Sequence, residues 1–112
     1  VGKDRQVSKT YNHITLKLIK PMTKFENAQN WAKQNPDTFS APSENELLQL
    51  KKNDCVKVCM AGERFWCKIL TVESTFIYAT VQNELVNTEI HGLFLGSKVF
   101  FMRSNIYTIT KF

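Results

Sequence analysis

The chain has no apolar run near the ~20 residues that a membrane-spanning helix needs, and no charged start followed by an apolar stretch of the secretory kind. A chain without a membrane partner is expected. Glycine is scarce: the four, at 2, 62, 92 and 96, stand alone, so no glycine-rich phosphate loop exists, and Gly62 and Gly96 read as turn residues. The two histidines, His13 and His91, lie in unrelated segments without an H-E-x-x-H or G-x-S-x-G pattern, so no nucleophile stands beside a base. Each reads as a surface or strand-edge histidine, and Glu63 beside Arg64 reads as a surface ion pair. A non-enzyme is expected.

Cysteine is equally uninformative as chemistry. Cys55, Cys59 and Cys67 are odd in number, which argues against a secreted disulfide framework and for a reducing, cytoplasmic setting. Their C-x3-C-x7-C spacing lacks the close C-x2-C pair of common zinc sites, so strand-packing thiols are the reading; no metal and no cofactor are expected. There is no internal repeat and no low-complexity tract, hence no solenoid or linker architecture.

Against these absences stands an ordinary globular composition. Hydrophobic residues are 43% and charged residues 22% of 112, enough to fold one core and too short for two, so residues 1–112 are read as a single domain. Fifteen basic against ten acidic residues give +5, which permits an acidic protein, a nucleic acid or an anionic surface as partner and selects none. The basic residues are spread out rather than clustered, so a solvated surface is the plain reading of that charge.

Residues 1–10 are polar and aperiodic. "YNHITLKLIK", 11–20, alternates as a strand and ends at Pro21. Thr23 then stands as the cap of a helix whose third residue is Glu26, with Phe25, Ala28, Trp31 and Ala32 at helical spacing until "NPD" stops it. A second capping box, Ser43 with Glu46, opens a short helix carrying Leu47, Leu48 and Leu50. From there the pattern becomes a meander, with strands over 54–60, 63–73, 75–82 and 98–102, closed by a helical turn and a last short strand in "SNIYTITKF". Short strands with tight connections must curl to close a core. The expected fold is therefore α+β: a small, SH3-like, partly open antiparallel barrel of about five strands with one or two flanking helices.

"PDTFSAPSENELLQLKKNDCVKV" followed by "GERFWCKIL" resembles the YegJ-like family of bacterial domains of unknown function. Asp54, Val56 and Lys57 stand at that family's first strand motif, with Asn53 where it usually has Gly. Glu63, Arg64, Phe65 and Trp66 stand at its second, with Cys67 for the usual Val. "VQNELV" and "LGSKVFFMRSNIYTI" are similar to its later hairpin and closing strand, so the resemblance covers about residues 36–110. It implies an SH3-like outline and no established chemistry. Residues 1–35 have no counterpart in it and read as an addition of this chain.

Strand alternation sorts the side chains. With Val56, Val58, Cys67, Ile69, Ile77, Ala79 and Val81 inward, the outward row holds Cys55, Lys57, Cys59, Arg64, Trp66, Lys68, Phe76, Tyr78 and Thr80. Lys57, Arg64, Trp66, Lys68 and Tyr78 together form the candidate binding patch, a mixture of cations and aromatic planes. Three fates are open to it. The N-terminal helix covers Trp66 and Tyr78 through Phe25 and Trp31; or the patch is the centre of an interface with another protein; or it stacks single-stranded bases on Trp66 and Tyr78 with phosphates on Lys57, Arg64 and Lys68. A binding or inhibitory module for another protein is the function expected, with a nucleic-acid-binding small barrel as the alternative.

Overall fold

The computed structural model describes residues 25–110. The expected strand over 11–20, the Thr23 cap and His13 lie outside the described residues. Among the described residues no helix is long and apolar enough to cross a membrane.

Phe25 is extended rather than helical, pairing with Met60 in an isolated bridge, and the Glu26 amide donates to the Cys59 carbonyl at 2.9 Å. The helix expected from residue 23 therefore starts later, as α1 (Ala28–Gln34), with Asn27 as its cap: the Asn27 side chain accepts from the Asn30 amide at 2.9 Å. The reason is tertiary. The Phe25 ring packs edge-on to Phe101 at 5.5 Å and tilted against Phe65 at 6.3 Å, so residues 25–26 are held along β1 before any turn of helix can begin. Residue 25 thus belongs to the core that the chain after residue 36 was expected to build by itself.

Local signals prevail in α2 (Glu44–Leu48). The Glu46 amide donates to Ser43 Oγ at 3.1 Å and the Ser43 amide to Glu46 Oε1 at 2.9 Å, the reciprocal box read from the sequence. Leu47 and Leu50 are buried and Leu48 is exposed.

Five strands follow: β1 (Cys55–Met60), β2 (Glu63–Val72), β3 (Ile77–Val81), β4 (Lys98–Phe101) and β5 (Thr108–Thr110). They form one antiparallel sheet in the order β4-β3-β2-β1-β5. Between β3 and β4 lies α3 (Thr88–His91), and a 3-10 turn, Arg103–Asn105, leads into β5. Among the described residues β4 and β5 are the two edges and no ladder joins them, so the α+β class and the antiparallel sheet stand while the described sheet is not closed.

The β1–β2 hairpin turns through two residues, Ala61 at φ 53° and Gly62 at φ 79°, the left-handed pair that suits a right-twisted hairpin. Alternation places Val56, Val58, Phe65, Cys67, Ile69 and Ile77 on one side of the sheet, each at most 1% exposed. Leu47, Leu50, Leu93 and Ile106 close that side. Burial of these side chains supplies the main stabilising free energy, about 1.5–3 kcal/mol for each large one.

Candidate binding face

The opposite side of the sheet carries the outward residues, and cross-strand register sets them in rows. Cys59 faces Arg64, Lys57 faces Trp66, and Cys55 faces Lys68 between β1 and β2. Lys68 faces Thr80, and Thr80 faces Lys98, which extends the third row across β3 to β4. Tyr78 faces Phe100.

The first row is covered at Cys59 and open at Arg64. Ala28, Cys59 and Tyr107 form a second small buried cluster, packed by Phe39 and Ala41 of the α1–α2 connection. The Arg64 guanidinium lies 4.7 Å from the Tyr107 ring centre and 5.5 Å from that of Phe39, and those two rings stand 5.2 Å apart. Arg64 stays exposed while its guanidinium lies against these two rings as a cation–π contact. Glu26 fastens the arrangement: its Oε2 accepts from the Gly62 amide at 3.2 Å, and the Tyr107 hydroxyl donates to its Oε1 at 3.5 Å. Asn105 Nδ2 donates to the Glu26 carbonyl at 3.1 Å. Burial, then the nearby Glu26 charge and its hydrogen bond, push the Cys59 thiol up to about 11. Burial and the neighbouring Cys59 and Glu26 push Tyr107 up to about 12. Cys59, expected outward and accessible, is thus buried, because residues 25–41 lie over that end of the sheet.

The second and third rows are not covered by α1 among the described residues. Phe25 is in the inner core and Trp31 is 39% exposed, so neither lies on Trp66 or Tyr78 as the first of the three expectations had it. Trp66 is half-buried with Lys57 Nζ 4.8 Å from its ring centre. Its backbone is held on both sides: its amide donates to Asn83 Oδ1 at 2.8 Å and its carbonyl accepts from the Gln82 amide at 2.9 Å. Tyr78 stacks on Phe100 with centres 5.4 Å apart and planes at 25°, and Phe76 meets Phe100 edge-on at 5.6 Å.

All five patch residues lie on the outward side: Arg64, Lys68 and Tyr78 are exposed and Lys57 and Trp66 half-buried, with Arg64 set against the Phe39 and Tyr107 rings. Leu70, Lys98 and Phe100 join that surface and were not anticipated. Lys98 and Phe100 were readable, since "KVFF" alternates and Val99 and Phe101 are buried. Leu70 was readable too, by alternation from Trp66 and Lys68, whereas the register shift between Ile69 and Thr71 is what sets Thr71 opposite Tyr78. By the same alternation, the outward strand positions hold Lys57, Arg64, Lys68 and Lys98 and not one carboxylate.

Glu63 does not pair with Arg64. It points inward, with 11% of its side chain exposed, and its Oε1 lies 2.9 Å from His91 Nε2. His91 Nδ1 accepts from the Leu93 amide at 3.1 Å, which assigns the ring proton to Nε2 and makes the imidazole the donor to Glu63. The carboxylate also accepts from the Val86 and Asn87 amides at 2.8 and 2.9 Å. Burial works to raise the Glu63 carboxyl, but the hydrogen bonds from His91, Val86 and Asn87 outweigh it and hold the group below its ordinary value. His91, expected at the surface, is buried, because this carboxylate gathers the loop between β3 and β4 around it. Burial alone pushes the Cys67 thiol most of the way up to about 12, with Cys55 adding to it. Among the described residues, no three His, Cys, Asp or Glu side chains gather as a metal site.

Compared with known proteins, the chain matches no family model, no curated protein and no solved structure.

Proposed function

We propose that this chain is a non-catalytic binding module that engages another protein through the outward face of its sheet, with Trp66 at the centre and Lys57, Lys68 and Tyr78 around it. The observation that carries the reading is a face of aromatic planes and cations that, among the described residues, has no carboxylate in its strand positions and no cover beyond the buried Cys59 and Tyr107 cluster at one end. Aromatic residues beside basic ones are what interface centres use, and cations without local counter-charges favour an acidic partner surface. Protein is preferred over single-stranded nucleic acid because Lys57 already lies over the Trp66 ring and Phe100 on Tyr78, which takes up stacking surface a base would need. Arg64, engaged by Phe39 and Tyr107, supports the patch from its edge.

The finer fold reading is an SH3-like barrel of the YegJ-like kind. It is supported by the strand order, by the 3-10 turn before β5, and by Asn53 at φ 78° where that family carries Gly. A reducing, cytoplasmic setting fits the three free thiols.

The test is capture from nuclease-treated lysate with the wild-type chain and a Trp66→Ala/Lys68→Ala variant, after circular dichroism shows both folded. A protein partner held by the first and lost by the second, across moderate salt, is the expected result. Equal capture by both removes the face from the reading, and capture that disappears on nuclease treatment moves it to nucleic acid.

A further inference from the structure

β2 carries one more residue than β3 across their pairing: Ile69 faces Ala79, Thr71 faces Tyr78, and Leu70 is the extra one. A bulge of this kind redirects side chains locally. Leu70 and Tyr78 remain 38% and 40% exposed, and with Lys98, Val99 and Phe100 they wall a shallow pocket of about 140 Å³. The stack of Tyr78 on Phe100, braced by Phe76, gives it an ordered aromatic wall. Small-molecule sites commonly need ~300 Å³ or more, so this pocket suits one large apolar side chain of a larger partner.

Lysine flanks it on the β4 side, while on the β2 side the Glu73 carboxylate accepts from the hydroxyl of Thr71, which faces Tyr78, at 3.1 Å. Lys98 stands at the pocket and shares a row with Thr80 and Lys68, while no outward strand position supplies a carboxylate. Among the described residues β4 is also an edge strand, so an extended segment can lie beside the pocket without displacing any of them.

We infer that this pocket is the anchor site of an acidic peptide segment: one large apolar side chain seats among Leu70, Tyr78 and Phe100, and flanking carboxylates meet Lys98 and Lys68. The inference rests on the binding-module reading and names the partner chemistry for it.

The experiment is a titration of the full, isotopically labelled chain, followed through its backbone amide resonances. Three probes are used: a capped peptide of three glutamates, one phenylalanine and three glutamates; the same peptide with alanine for phenylalanine; and a short oligothymidylate. The expected result is shifts centred on Leu70, Tyr78, Lys98 and Phe100 with the first peptide. Affinity should be about tenfold weaker with the alanine peptide, and at least about threefold weaker in a Lys98→Glu variant whose spectrum stays dispersed. Shifts elsewhere, or equal affinity for the two peptides, overturn the inference. So does an oligothymidylate that shifts these residues while the peptides do not, which reassigns the face to nucleic acid. A silent peptide together with partner capture that still depends on Trp66 and Lys68 overturns the anchor site alone and leaves the binding module standing.

Discussion

Cys59 and Cys55 are four residues apart on β1 and face the same side of the sheet, yet Cys59 is buried under neighbouring chain and Cys55 is half-buried beside exposed Lys68. Alternation treats them alike. What separates them is the chain before β1. Residues 25–41 run along the edge of β1 and then over Cys59, held by the Phe25 ring in the inner core and by Glu26 reaching Gly62 and Tyr107. A cation lies over a ring at both ends, but the Tyr107 ring under Arg64 is buried and the Trp66 ring under Lys57 is half-buried. A cation–π pair read from sequence therefore says nothing about exposure until its cover is known.

The comparison breaks most directly by truncation at each end. Tyr107 is 2% exposed and joins Phe39, Arg64 and Glu26, so Tyr107→Ala should cost about 3–5 kcal/mol in urea unfolding. Tyr78→Ala, on the open surface, should cost about 1 kcal/mol. Similar costs at the two positions would erase the distinction between a sealed end and an open one.

Thiol chemistry sharpens the same contrast at somewhat smaller magnitude. With its pKa at about 11 against an ordinary 9.0, Cys59 should be alkylated about a hundredfold more slowly than a free thiol at mild pH, from its thiolate fraction alone. Burial lowers the rate further. Cys55, half-buried on the uncovered side, should be the first cysteine modified, as peptide mapping after a timed iodoacetamide pulse would show. Early labelling of Cys59 would mean that residues 25–41 leave that row readily.

Beside the open surface, the Glu63 carboxylate holds the loop whose Asn83 fixes Trp66. Glu63→Gln should cost about 2 kcal/mol, since a charge-assisted set of hydrogen bonds is replaced by a neutral one. The pH dependence has a definite sign. Because the folded carboxyl is held below its ordinary 4.5, its contribution is complete above that pH and is lost as pH falls through the folded value. Stability of the wild type should therefore decline below about pH 4.5 more steeply than that of the variant. Parallel declines in acid unfolding curves would remove Glu63 as the cause.

The smallest effect lies at the hairpin tip, which both regions share through Gly62 and the Ala61 carbonyl. Ala61 holds φ 53° without the glycine that such a position favours. Ala61→Asn should raise stability by about 0.5–1 kcal/mol, measured as a higher urea midpoint with unchanged slope. A loss would show that the Ala61 side chain is needed where it is.

Much of this architecture was legible in residues 43–110. The Ser43/Glu46 box, the alternation of "CVKV", "FWCKI" and "IYATV", and the glycines at 62 and 96 are local signals, and the structure keeps each of them. All five candidate residues stayed on the outward face because period-two alternation is a property of the strand itself. The misreadings share one cause. Glu26 was read as the third residue of a helix but reaches across to Gly62 and Tyr107. Glu63 was paired with its neighbour in sequence but bonds His91, twenty-eight residues away.

The sequence by itself determined which side chains share a side of each strand, where the hairpin turns and where α2 begins, because those follow from backbone periodicity and from bonds within three or four residues. Only the tertiary structure decided which part of the outward face is sealed, which glutamate holds which loop, and where a pocket opens beside Tyr78. Those depend on contacts between segments tens of residues apart, whose free energies come from burial and charge pairing that no local pattern encodes.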